Sequence, residues 1–397
     1  MKRQDAVGNH PTVVCYLAAT ALTGVLVFEY ALATQNLNYG FPTSYTWTEL
    51  LLNYQGGVIK RAALGEIAYH IDFLLPARLF ILAVIVSLWV TCILSIVWVL
   101  RIFQSFAGLL FLVSPAGLLF PIYDQAAFGR KDLFVWAVAV VAAVLTTKVR
   151  NSWQSLTAIL ATAIGATAFS ETVTFYIPLI FWGFLSTRRN ESIQFRVTAA
   201  LIVGAVTLLG FAVNYALKST NESMIATSWQ TLYPDAYQNA GALCCLGMNL
   251  SQALQHMAGT AAAPLPRDSY ILGALLAIIP TLVLVWSRPP REPRTILGTL
   301  CLIAGLLGSL APLALATDWG RFISLSTSVT FLATWTALSG EPFRACPSPT
   351  CPRGLSVLVG KALILVLFAG SWRMTHWRPS GESGVLPGPL LSWLGLA

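Results

Sequence analysis

Runs of about twenty apolar residues recur from one end of this sequence to the other, and nothing else constrains its fold as strongly. A helix rises about 1.5 Å per residue and the hydrocarbon layer of a bilayer is about 30 Å thick, so each run is long enough to cross. Breaks at charged and turn-forming residues divide the chain into about eleven predicted spans: 12–33, 79–100, 104–122, 133–147, 153–170, 172–187, 197–217, 270–287, 296–317, 322–338 and 355–371. The fold class is therefore all-α, a polytopic transmembrane helical bundle. The runs are continuous rather than alternating, which argues against a β-barrel. Thr12 to Ala33 is too long for the apolar core of a signal peptide and has no convincing cleavage site, so it is expected to stay as the first helix. Leu386 to Ala397 is too short to span and is expected at the membrane interface. No repeat or low-complexity tract divides residues 1–397, which form a single integral membrane domain.

Charge gives this bundle a direction. Only 10% of the residues are charged, against about a quarter in a soluble chain. The net charge of +8 would raise the question of nucleic acid in a soluble protein, but here the basic residues are spread through short loops. They read as a topology signal. With the N-terminus cytoplasmic, the inner segments carry +9 and the opposite face −2, and Lys361 lies within the last span. That asymmetry obeys the positive-inside rule. The expected partner is thus the lipid bilayer and not nucleic acid. Two outer loops are large, 34–78 and 218–269. The first mixes apolar and charged residues from Val58 to Leu75 and suits a helix lying in the interface. The second places Trp229, Tyr233, Asp235, Tyr237 and His256 among amides, a composition that fits either a sugar-binding surface or an ordinary folded loop. Seven scattered cysteines make no disulfide framework: Cys15, Cys92 and Cys301 lie within apolar runs, and Cys346 and Cys351 lack partner ligands for a metal. The adjacent Cys244 and Cys245 are the pair open to redox chemistry.

Four polar clusters fall on the outer face: Lys60-Arg61 between glycines, Asp124 with Phe128-Gly129-Arg130-Lys131-Asp132, Ser170-Glu171-Thr172, and Asp318-Trp319-Gly320-Arg321. Each has an ordinary reading. Asp132 and Asp318 precede helical runs and could cap them, lysine and arginine near helix ends snorkel to headgroups, and Glu171 could sit exposed in a tight turn. Yet Lys60, Arg61, Arg130, Lys131 and Arg321 stand on the face that insertion otherwise depletes of positive charge. The chemistry that fits five such cations is a phosphate-bearing ligand, gripped by planar guanidinium forks where glycines let the backbone approach and helix N-termini favour an anion. Trp319 belongs to the same clamp. Glu171 first, and Asp132 or Asp318 next, are candidates for a general base on an acceptor hydroxyl. No Asp-x-Asp, His-Glu-x-x-His or Walker-type glycine loop occurs, so neither metal nor cofactor is expected.

In order along the chain, Gly-Gly-x-x-Lys-Arg-x-x-Leu-Gly from Gly56, Phe-Gly-Arg-Lys-Asp from Phe128, Glu-x-x-x-Phe-x-x-Pro from Glu171 and Asp-Trp-Gly-Arg from Asp318 resemble a family of bacterial multi-spanning proteins associated with surface-polysaccharide biosynthesis. Two positions depart from that pattern: Ser170 stands where histidine is usual, and Lys60 where arginine is common. The wider architecture is similar to GT-C glycosyltransferases and O-antigen polymerases. The resemblance implies an inner-membrane enzyme that transfers or polymerises sugars from a polyprenyl-phosphate or pyrophosphate donor at the periplasmic face, with other glycan-assembly membrane proteins as partners. GT-C enzymes usually place a catalytic acid in the first outer loop, where this chain offers Glu49 and Glu66, neither in a distinctive motif. A flippase for the lipid-linked glycan and a non-catalytic partner of a biosynthetic complex are the alternatives.

Overall fold

The structure, a computed structural model, describes residues 13–39, 45–124, 127–188, 190–217, 221–233, 241–243, 246, 251–252, 255, 267–288, 296–315, 318–339, 355–375 and 385–396. In chain order the helices are α1 (Val13–Tyr39), α2 (Tyr45–Leu50), α3 (Ala63–Ile71), α4 (Ala77–Leu94, prolonged by a π turn to Val99), α5 (Phe106–Leu112), α6 (Phe120–Tyr123), α7 (Asp132–Lys148), α8 (Ser152–Thr167), α9 (Val173–Thr187) and α10 (Ile193–Ala216). There follow α11 (Glu222–Leu232), α12 (Arg267–Ala277), α13 (Ile279–Ser287), α14 (Ile296–Leu315), α15 (Trp319–Ala337), α16 (Leu355–Gly370) and, after two short strands, α17 (Pro389–Trp393). The strands β1 (Trp372–Met374) and β2 (Val385–Pro387) pair antiparallel. The class is all-α, as its apolar runs require.

Among the described residues, four helices are long and apolar enough to cross a membrane: Ala77–Val99, Ile193–Ala216, Ser269–Ser287 and Ile296–Leu313. They mark the chain as a membrane protein. Val173–Thr187 and Val359–Gly370 are apolar but shorter. The predicted span 104–122 is not one helix. It breaks after Leu112 at Ser114-Pro115 and resumes as the single turn α6, because proline cannot donate to a helical ladder. Irregular backbone at such depth is tolerated only where protein covers it. Here Ser114, Ala116 and Leu118 are buried, the Tyr30 hydroxyl donates to the Leu118 carbonyl at 2.6 Å, and the Ser114 hydroxyl accepts from the Ala116 amide at 3.3 Å.

At the centre is α9, packed against α7, α8, α10, α14 and α15. It is apolar all round and buried from Val173 to Leu185 save Phe175 and Pro178, which is what an apolar helix without a polar face must be. Small residues let its neighbours close in. A Cβ on Gly305 would lie 2.6 Å from the Leu179 Cα, one on Gly308 2.7 Å from the Phe175 carbonyl, and one on Gly183 2.8 Å from the Ala333 carbonyl. Close backbone approach of this kind is how helices associate where no hydrophobic drive operates. Outside this centre, α10 buries Phe195, Ala199, Val203 and Thr207 at four-residue spacing and exposes Leu201, Leu208 and Leu209, while α14 exposes Leu300, Ile303 and Leu307. These faces suit lipid acyl chains.

The first loop contains the expected amphipathic helix, shorter than foreseen: α3 covers Ala63–Ile71 and buries Leu64, Gly65 and Ala68. After it, Phe73 and Leu74 are exposed. In the second loop the sugar-binding reading of Trp229 is corrected. Its ring is fully buried and its indole nitrogen donates to the Leu51 carbonyl at 3.0 Å, so it is a core residue of α11 rather than a platform. Asp235, Tyr237, His256 and both Cys244 and Cys245 lie outside the described residues.

Candidate functional site

The N-termini of α7, α9 and α15, the turn after α8, and the loop bearing α2 and Arg61 meet at one end of the bundle. There seven side chains form a single line of alternating charge. Glu171 lies 2.7 Å from the Nη2 of Arg61, whose Nη1 donates to Glu49 at 3.2 Å. The other oxygen of Glu49 accepts from Arg130 at 3.4 Å. Arg130 lies 3.8 Å from Asp318, which is 3.4 Å from Arg321, and Arg321 lies 3.1 Å from Asp132. Four segments far apart in sequence thus supply one network that begins and ends on a carboxylate.

Burial grades it. Glu49 and Arg130 in the middle are 6% and 8% exposed at the side chain, whereas Glu171 at one end is 19% exposed. Arg130 also lies 4.4 Å above the ring of Tyr45, a cation–π contact that covers its outer face. Burial alone would push the Glu49 carboxyl up, but Arg130 and Arg61 more than reverse this and hold it at about 2. Burial would likewise lower Arg61, and Glu171 and Glu49 raise it above the ordinary arginine value instead. Glu49 is therefore a firmly ionised counter-ion and a poor proton acceptor.

The capping role considered for the two aspartates does not hold. Asp318 occupies the N-cap position of α15 and Asp132 the first turn of α7, yet neither helix start has a side-chain cap hydrogen bond, and both carboxylates face arginines. Lys131 differs from its expected role. Its ammonium is buried and donates to the Arg61 carbonyl, and burial brings it down to about 7. It staples backbone rather than reaching outward. The stapled residue needs it: Arg61 has φ of 57°, a left-handed conformation that costs a side-chain-bearing residue about 1 kcal/mol or more. Lys60, immediately before it, is half-buried. Trp319 is half-buried too, edge-on to Tyr270 at 5.8 Å, and so braces the turn.

The motif glycines have packing reasons. A Cβ on Gly65 would lie 2.0 Å from the Leu52 carbonyl, one on Gly56 2.2 Å from the Asn221 carbonyl, and one on Gly320 1.8 Å from the Thr375 carbonyl. Gly57 and Gly129 take positive φ. These glycines admit neighbouring chain, where the sequence reading had them admit a ligand.

Glu49, which in the sequence is one of two first-loop acids in no distinctive motif, stands in the middle of the line. The signal was present: a lone acid in Thr-Trp-Thr-Glu-Leu-Leu-Leu is as anomalous as Arg321 between two apolar runs. Chemically, the Nε atoms of Arg61 and Arg130 are buried without a hydrogen-bond acceptor among the described residues, while that of Arg321 faces Asp132 at 3.1 Å. Guanidinium donors remain to be used, and carboxylates already sit where the oxygens of a phosphoryl group would be accepted. Among the described residues no cluster of three or more His, Cys, Asp or Glu could hold a metal ion. No protein-family model, no curated protein and no solved structure matches this chain.

Proposed function

We propose that this chain is a glycan-assembly enzyme of the bacterial inner membrane, transferring or polymerising sugars from a polyprenyl-phosphate or pyrophosphate donor at the periplasmic face. The observation that carries the reading is the convergence of Arg61, Arg130 and Arg321 with four carboxylates at one end of an apolar bundle. Charges buried beside lipid are retained for a purpose, and the pairing of arginine forks with an acid suits a reaction that expels phosphate and removes a proton. In the proposed step Glu171 takes the proton of an acceptor hydroxyl as its oxygen bonds to the anomeric carbon. The bond from that carbon to the phosphate oxygen breaks, and its electron pair leaves on the phosphate, held by Arg61 and Arg321. Arg130, covered by Tyr45 and Glu49, stabilises from behind. Lipid supplies the donor's chain, and no metal is invoked.

Flippase action fits less well, because a translocation path needs polar groups through the depth of the spans, and this network sits at their ends. Arg321→Ala and Glu171→Ala are expected to abolish surface glycan while leaving the amount of protein in the membrane unchanged, and lipid-linked units should accumulate on the outer leaflet. Normal glycan in both variants would remove the assignment; accumulation on the inner leaflet would transfer it to a flippase.

A further inference from the structure

Arg61 is shared between two carboxylates of unlike standing. Glu49, 3.2 Å away, is 6% exposed and has its second oxygen on Arg130. Glu171, 2.7 Å away and 19% exposed, sits on the turn between α8 and α9 at the end of the line, with Arg61 as its one ion-pair partner among the described residues. A carboxylate and a phosphoryl group offer an arginine fork the same acceptors, so an incoming phosphate must compete with whichever acid can yield. Glu49 is too deep and doubly tied. Glu171 can swing outward from its turn and leave Arg61 with a partner still in place.

We propose that Glu49 is the positioning residue of the site, a fixed counter-ion that holds Arg61 and Arg130 side by side, and that Glu171 is the exchangeable acid, displaced from Arg61 by phosphate and so released to act as base. This rests on the phosphate reading above and adds an order of events: the base is freed only when a donor is bound. Unproductive deprotonation in the empty site is thereby avoided, since Glu171 stays paired to Arg61 at 2.7 Å until it is exchanged. Nothing in the step requires a further reactant: the proton passes from acceptor hydroxyl to Glu171, and the phosphate departs with the bonding pair.

The test uses the full-length protein in detergent, titrated with undecaprenyl phosphate and, separately, with inorganic phosphate. Glu171→Gln removes a competing negative charge. It is expected to bind undecaprenyl phosphate roughly tenfold more tightly than the wild type, the scale of one charge-assisted hydrogen bond, with little change in Tm and no surface glycan in cells. Glu49→Asp keeps the charge but is one methylene too short for both guanidiniums. Arg61 then turns both nitrogens to Glu171, and the folded variant is expected to bind the same probe roughly tenfold more weakly. A merely structural Glu49 would lower Tm and leave the affinity of the folded protein unchanged, which would overturn the positioning role. Unchanged or weaker affinity in Glu171→Gln would overturn the exchange. Failure of both probes to bind wild type and Glu171→Gln alike would overturn the phosphate reading itself, and inorganic phosphate binding as tightly as the lipid would overturn the lipid-linked donor.

Discussion

Glu49 has almost no contact with solvent, and a carboxylate in that position is tolerated only because Arg61 and Arg130 occupy its two oxygens. Glu49→Gln should therefore destabilise the protein by about 3–5 kcal/mol, the usual result of leaving buried charges without their partner, measured by thermal unfolding in detergent. The effect has a defined pH range. The folded carboxyl is depressed to about 2, so its stabilisation is complete above the unfolded value of about 4.3 and is lost as pH falls from there through 2. The wild-type minus Glu49→Gln difference should thus be flat from pH 7 to about 4.5 and vanish towards 2. A difference already declining at pH 6 would mean that Glu49 is not held by the arginines. Gly320 makes a second prediction at this scale. Its missing Cβ leaves room for the Thr375 carbonyl at 1.8 Å, so Gly320→Ala should cost about 1–3 kcal/mol and displace the C-terminal strand without touching an ion pair.

Among the elements, α9 decides where the charges go. Its N-terminus follows Glu171, and it is clamped between α14 and α15 by the glycine contacts at Leu179, Phe175 and Ala333. Gly305→Val would push α14 away from the Leu179 backbone and is expected to lower stability by about 1–3 kcal/mol while also weakening the glycan production proposed above, because Arg321 enters through the helix that follows α14. Wild-type glycan from a destabilised Gly305→Val would show that α9 and the network are not mechanically linked. The α5–α6 break shows how local chemistry overrides hydropathy: the run 104–122 is apolar enough to be read as a span, but Ser114-Pro115 ends the helix and Tyr30 satisfies a carbonyl so released.

For the whole molecule, sidedness is the property to test. Val58 and Trp153 are both exposed, the first near the network and the second at the start of α8, the far end of that helix from Glu171. In a chain freed of its seven cysteines, Val58→Cys should react in intact cells with a thiol reagent that cannot cross the membrane, and Trp153→Cys only after permeabilisation. The reverse pattern would invert the positive-inside assignment.

The helical class, four apolar helices long enough to cross a membrane, and the polar motifs themselves were legible in the sequence, because the length of an apolar run, the place of a proline and the oddity of an arginine between two such runs are local properties. Which of those motifs touch was not. The distances from Glu171 through Arg61, Glu49, Arg130, Asp318 and Arg321 to Asp132 depend on how α7, α9 and α15 pack, and that packing is set by contacts between residues more than a hundred positions apart. The same reason hid the role of Glu49, whose partner Arg130 is 81 residues away, and gave Lys131 a staple's role. Charge type can be read along a chain, but a charge's counter-ion is known only once the backbone has folded around it.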